Sequence, residues 1–159
     1  MTKSENIEIL YNEEQTSFLM RFLKDLIVGI IPSFVFLIIY FINKPNELSW
    51  IFLLTAIAII TVQILLNRYY NKILIYKISI SNKILIINYL EFNKTLKIKI
   101  KLSELDILIA YQGFDFYSRT YKIFFRKKRK SILKQYCVGN WDKRIMLELE
   151  KVINQKRKQ

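Results

Sequence analysis

Leu26 to Ile42 (LIVGIIPSFVFLIIYFI) runs seventeen residues without a charged side chain, and Leu48 to Leu66 (LSWIFLLTAIAIITVQILL) runs nineteen. Built as α-helices at 1.5 Å per residue, they reach about 26 and 28 Å, close to the ~30 Å hydrocarbon thickness of a bilayer. Phe22 and Leu23 lengthen the first stretch, with Lys24 free to snorkel toward water. A chain of 159 residues has too little other protein to cover two helices that are apolar all round. A cleaved signal peptide fits poorly, because twenty-five mostly polar and acidic residues come first and a second apolar stretch follows. The expectation is a transmembrane hairpin over 26–66, with spans 26–42 and 48–66 joined by Asn43–Glu47 (NKPNE).

Lys and Arg near the ends of spans set their orientation. The short loop has only Lys44, whereas Arg21 and Lys24 precede the first span and Arg68, Lys72 and Lys77 follow the second, so both termini are expected in the cytoplasm. Tyr40 and Trp50 suit one interface, and Tyr69 and Tyr70 the other. Gly29 and Ser33, four apart, give a small-residue face for close helix packing, and Gln63 has the chemistry to hydrogen-bond across the pair. With no Asp, Glu, Lys or Arg inside the spans, little is available to build an ion pathway.

Charge divides the chain at the same place. Residues 1–66 hold four Lys/Arg and six Asp/Glu, net −2, whereas residues 67–159 hold twenty-two and seven, net +15. The apolar excess belongs to the first part and the basic excess to the second. Before the first span, residues 1–25 read as Ile7–Tyr11 (IEILY), a disordered end or, by preference, a strand added to a sheet edge, and an amphipathic helix from an Asn12 N-cap, with Phe18, Leu19, Phe22, Leu23 and Leu26 at helical spacing. Residues 67–72 form a linker.

From Ile73 onward the pattern is alternation. ILIYKISIS (73–81), a turn at Asn82–Lys83, ILIINYLEF (84–92) and a turn at Asn93–Lys94 lead into TLKIKIKL (95–102). That last segment puts Leu96, Ile98, Ile100 and Leu102 on one face and Lys97, Lys99 and Lys101 on the other, as in an antiparallel strand with one buried face. Strands follow at SELDILIAYQG (103–113), FYSRTYKIFF (116–125) and SILKQYCV (131–138), with Arg126–Lys130 (RKKRK) as a hairpin turn. A helix over 141–155 closes the chain, with Asn140 as its N-cap and Trp141, Ile145, Leu149, Val152 and Ile153 on one face; the tail QKRKQ is solvated or lies on lipid. The fold class expected is a membrane α-helical hairpin plus an α+β cytosolic domain over 73–159.

IEILYNEEQTSFL ahead of two spans, TLKIKIKLSELDIL, and KSILKQYCVGNWDKRIMLELEKVI together resemble bacterial two-span membrane proteins with a pleckstrin-homology-like domain, of the YcxB-like type. The resemblance implies a strongly bent antiparallel sheet, a partial barrel, plugged by the C-terminal helix, and residence in a bacterial inner membrane. It supplies no catalytic residue, and fold alone assigns no ligand.

Chemistry is sparse. The chain has no histidine, which removes the commonest general base, and its single Cys137 excludes an internal disulfide and a thiolate metal cage. Three glycines build no phosphate loop, and no metal or other cofactor is implied. Glu104 and Asp106 are the one conceivable acid–base or metal pair, set against ion pairing with neighbouring lysines. GFDFYSRTY (113–121) reads as a hairpin covering the sheet end, or as a contact loop.

A net +15 over 93 residues is in the range of nucleic-acid binders, yet a six-residue linker reaches only about 20 Å, and anionic lipid attracts each juxtamembrane Lys/Arg by about 1 kcal/mol. Tether and charge favour phospholipid headgroups over a polynucleotide. The expected contacts are Arg126, Lys127, Lys128, Arg129, Lys130, Lys97, Lys99 and Lys101. The reading is a non-catalytic interaction module for anionic lipid or a protein partner. Its rivals are an oligomerising membrane effector or pore-former, packed through Gly29, Ser33 and Gln63, and a lipid-modifying enzyme using Glu104 and Asp106.

Overall fold

The computed structural model describes residues 7–42, 47–111 and 121–158. It divides into two compact units, one made of residues 18–71 and the other of residues 1–17 and 72–159.

The helical unit holds α1 (Phe18–Ile42) and α2 (Glu47–Tyr70), which pack on each other as an antiparallel pair. At 25 and 24 residues they are about 36–38 Å long, and mean hydropathies of 2.4 and 2.2 over their most apolar windows make both long and apolar enough to cross a bilayer. Only 11 % of the residues in either window are buried, so the described residues leave most of this apolar surface uncovered. Where the helices meet, small side chains let the backbones approach: Gly29 and Ser33 of α1 and Ala56 of α2 are buried. The loop residues Asn43–Asn46 lie outside the described residues.

Two boundaries differ from the sequence reading. No helix starts at Asn12. That residue ends strand β1 (Glu8–Asn12), and Glu13 still donates its backbone N–H to Tyr76 O at 2.7 Å, so the segment stays extended and α1 begins at Phe18 as one continuous helix. Residues 67–70 of the expected linker are the last turn of α2.

The second unit contains two antiparallel sheets and a helix. Sheet A has the order β1-β2-β3-β4, with β2 (Ile73–Ser81), β3 (Ile84–Glu91) and β4 (Lys94–Lys101) as consecutive hairpin strands. Sheet B has the order β5-β6-β7, made of β5 (Leu105–Tyr111), β6 (Tyr121–Lys127) and β7 (Lys130–Tyr136). A short 3₁₀ turn, Leu102–Glu104, carries the chain from one sheet to the other in place of a continuous strand. Residues 112–120, most of the aromatic-rich GFDFYSRTY segment with Gly113 and Asp115, lie outside the described residues. β1 and β2 are antiparallel neighbours, Glu8 opposite Ile80 and Asn12 opposite Lys77, so the helical hairpin occupies the place of their connecting loop.

Inward-facing Leu74, Ile78, Ile80, Leu85, Ile87 and Ile100 of sheet A meet Ile123, Phe125 and Leu133 of sheet B. Helix α3 (Lys143–Lys158) closes this core with Met146, Leu149 and Ile153. Its cap is Asp142, whose Oδ1 accepts the Ile145 N–H at 2.8 Å; Asn140, the expected cap, instead donates its backbone N–H to Glu13 Oε1 at 3.1 Å. The tail is not free: α3 continues to Lys158, Lys156 pairs with Glu8 at 2.7 Å, and Arg157 Nη1 donates to Leu105 O at 3.1 Å. A bulge in β2 leaves Tyr76 unmatched on β3, and beside it the peptide group of Ile75, the residue opposite Tyr89, is bonded by side chains. Gln135 Oε1 accepts from Ile75 N at 2.8 Å, and Trp141 Nε1 donates to Ile75 O at 2.8 Å.

Candidate anion-binding surfaces

Hairpin geometry places the basic residues of the second unit. The RKKRK run does form a tight turn: β6 ends at Lys127, β7 starts at Lys130, and Lys128 (φ 50°) and Arg129 (φ 67°) both take left-handed backbone. The β2–β3 turn repeats this at Asn82 (φ 50°) and Lys83 (φ 59°). Two left-handed central residues match the type I′ turn that the twist of a two-residue hairpin demands, and Asn-Gly is its favoured sequence. The β3–β4 turn falls at Phe92–Asn93, one residue earlier than the sequence suggested, with Phe92 at φ 55°.

The β2–β3 and β6–β7 turns lie at one end of the unit. Leu102 N–H donates to Lys83 O at 2.9 Å, which joins the end of β4 to the β2–β3 turn. Glu104 pairs with Lys127 at 2.7 Å, which joins both to the β6–β7 turn. The hydrogen bond and charge of Lys127, aided by Lys101 and Lys128, hold the Glu104 carboxyl below the usual carboxylate range. Asp106 is ion-paired with Arg126, the residue opposite it across β5 and β6. Glu104 and Asp106 therefore each answer a basic neighbour. Lys83, Lys101, Lys128, Arg129 and Lys130 are exposed around this end.

The opposite end, about 25 Å away along the strands, is where β1 finishes and β2 begins, and so where the chain leaves for the helices. RKKRK is thus at the far end of the unit from both chain crossings. Lys97, Lys99 and Lys101 form a different feature: an exposed row along the outer face of β4, leading from near the crossing end to the far end.

Register extends that row inward across sheet A. Asn12 of β1 is opposite Lys77 of β2, Lys77 is opposite Asn88 of β3, and Asn88 is opposite Lys97 of β4. An amide–ammonium–amide–ammonium ladder therefore crosses four strands. It lines an open groove of about 610 Å³, together with Gln15 and Ser79. Glu13 also borders the groove, but both its oxygens are engaged, Oε2 by the Tyr11 hydroxyl at 2.6 Å and Oε1 by the Asn140 N–H at 3.1 Å. Burial above all, then the Glu13 carboxylate, pushes ionisation of the Tyr11 hydroxyl far above the ordinary phenol range.

In the helical unit, Gly29 and Ser33 are buried, as is Gln63 Oε1. Around them runs a polar seam that sequence reading did not assemble. Arg21, Asp25, Gly29 and Ser33 recur every four residues on α1, and Gln63, Asn67 and Asn71 recur every four on α2 and its end. Arg21, read from sequence as a flanking charge, is buried and donates Nη2 to Asn71 O at 3.1 Å, placing a cation at the negative end of α2. Asn71 Nδ2 donates to Asp25 Oδ2 at 2.7 Å. The four-residue spacing was the available signal, hidden because Arg21, Asp25, Asn67 and Asn71 fall outside the uncharged runs.

No family model matches the chain, and neither do any curated protein or any solved structure.

Proposed function

We propose that this chain is a two-span protein of a bacterial cytoplasmic membrane, termini in the cytoplasm, whose β unit is a pleckstrin-homology-like, non-catalytic module that contacts anionic phospholipid. Four strands followed by three, closed by a C-terminal helix, support the pleckstrin-homology-like reading. Two helices with uncovered apolar surface support insertion.

One observation carries the lipid reading. Lys97, Lys99 and Lys101 project together from the outer face of a unit joined to the helices by only residues 13–17 on one side and directly at Asn71–Lys72 on the other. Five residues of extended chain reach about 18 Å at most, so the crossing end of this face, where Lys97 lies, stays near any bilayer the helices cross. There each basic residue gains about 1 kcal/mol near an anionic leaflet.

Lysine footprinting of the full-length protein in nanodiscs tests this. Amine labelling of Lys97 and Lys99 is expected to fall when phosphatidylglycerol replaces phosphatidylcholine and to recover at high salt, with Lys101, nearest the far end, changing least. Equal labelling in both lipids refutes the contact. The position of Lys83, Lys128 and Arg129 at the far end favours a second reading for that end alone, an acidic protein partner. Under that reading Lys83 and Lys128 stay fully labelled in anionic discs.

A further inference from the structure

Lysines on an edge strand have an ordinary purpose, since they stop the edge from pairing with another sheet. That explains Lys97 on β4 but not Lys77, which is on the interior strand β2, nor Asn88 between them on β3. We propose that the ladder Asn12–Lys77–Asn88–Lys97 is a site for the phosphate of one anionic phospholipid headgroup. This rests on the lipid-binding reading above and narrows it from a charged face to a defined place.

The geometry suits a tetrahedral oxyanion. Neighbouring strands are about 4.8 Å apart, so the backbones carrying Lys77 and Lys97 are separated by about 10 Å with Asn88 midway. Two flexible ammonium arms can close over an anion seated on the Asn88 amide, and Asn12 adds a second amide beside Lys77. Of the acidic groups, Glu13 borders the groove, and its oxygens are already held by Tyr11 and Asn140.

Two features select a lipid over a free phosphate. The next row on the same face is Ile9–Ser79–Ile86–Lys99, so two isoleucines, Ile9 54 % exposed, lie beside the polar ladder on its β1 and β3 strands, where a glycerol backbone would follow its phosphate. Gln15, on the groove wall, is three residues before Phe18, the first residue of α1, so at most about 11 Å of chain separates them.

The test uses the full-length protein in non-ionic detergent, titrated with short-chain phosphatidylglycerol, short-chain phosphatidylcholine and inorganic phosphate, with bound lipid counted by native mass spectrometry. Phosphatidylglycerol is expected to be retained preferentially, and Lys77→Gln with Lys97→Gln to weaken it by at least about tenfold, since two charge-assisted contacts go. Lys128→Gln with Arg129→Gln is expected to leave it unchanged. Trp141 fluorescence verifies that each variant is folded. If the groove pair binds as wild type, or the turn pair loses binding, the groove assignment is wrong while the lipid-binding function stands. If phosphatidylglycerol shows no preference at all, both fall. If inorganic phosphate competes at the same concentrations as the lipid, the ligand is soluble and the lipid assignment is overturned.

Discussion

Replacing Gly139 with alanine tests how the N-terminal strand is locked to the rest of its unit. Gly139 has φ +67°, and a Cβ there would sit 2.8 Å from Glu13 Oε1, the atom that accepts the Asn140 N–H. Left-handed backbone costs a β-carbon-bearing residue about 1–2 kcal/mol. Pushing the carboxylate aside also loses a charge-assisted but exposed hydrogen bond, about 1 kcal/mol. It loosens the 2.6 Å Tyr11–Glu13 bond as well, and with it the Tyr11 ring packed 4.6 Å from Trp141. The expected loss is about 2–3 kcal/mol, which for a unit of roughly a hundred residues lowers Tm by about 8–12 °C. Trp50→Phe leaves Trp141 as the sole indole, so urea or thermal unfolding of full-length protein in detergent reports on this unit alone. In a Glu13→Ala background the steric part vanishes, and Gly139→Ala should cost only the backbone strain, about 1–2 kcal/mol. An identical penalty in both backgrounds refutes the Glu13 contact, and no penalty in either refutes the left-handed geometry.

The remaining predictions use the same readouts. Because Tyr11 ionises far less readily folded than at its ordinary value of 10.0, its contribution is complete below that pH and is lost as pH rises above it. Wild-type stability should therefore fall more steeply than that of Tyr11→Phe between pH 9 and pH 11, and parallel curves would refute it. Lys128→Asn with Arg129→Gly supplies the favoured type I′ pair and should raise stability by about 1 kcal/mol; a loss would mean the two basic side chains hold the fold. The Asn67 side chain is fully buried with neither amide atom hydrogen-bonded, so Asn67→Leu should leave the helical pair as resistant to sodium dodecyl sulfate as wild type, or more so. A marked loss of resistance would show that the amide holds the helices together.

Local pattern made much of the architecture legible. The uncharged runs identify both long helices because each is apolar on every side over a helix-length stretch, and strict alternation in TLKIKIKL identifies the buried and basic faces of β4. Errors fall where a tertiary partner overrides a local preference. Asn12 reads as a helix cap, but its pairing with Lys77 holds it in a strand. Asn140 reads as a cap too, yet its N–H is taken by Glu13, and Asp142 does the capping. Arg21 reads as a flanking charge because only folding brings it to the Asn71 carbonyl, fifty residues away.

The candidate surfaces divide in the same way. Sequence by itself determined that the chain has an apolar half and a basic half, that RKKRK is a hairpin turn, and that Lys97, Lys99 and Lys101 share a face, because each follows from spacing within one element. Only the tertiary structure decided that RKKRK lies at the end away from the chain crossings, and that Asn12, Lys77, Asn88 and Lys97 stand side by side. Strand register sets both, and register depends on which residues face each other across the sheet, including a β1 partner more than sixty residues distant along the chain.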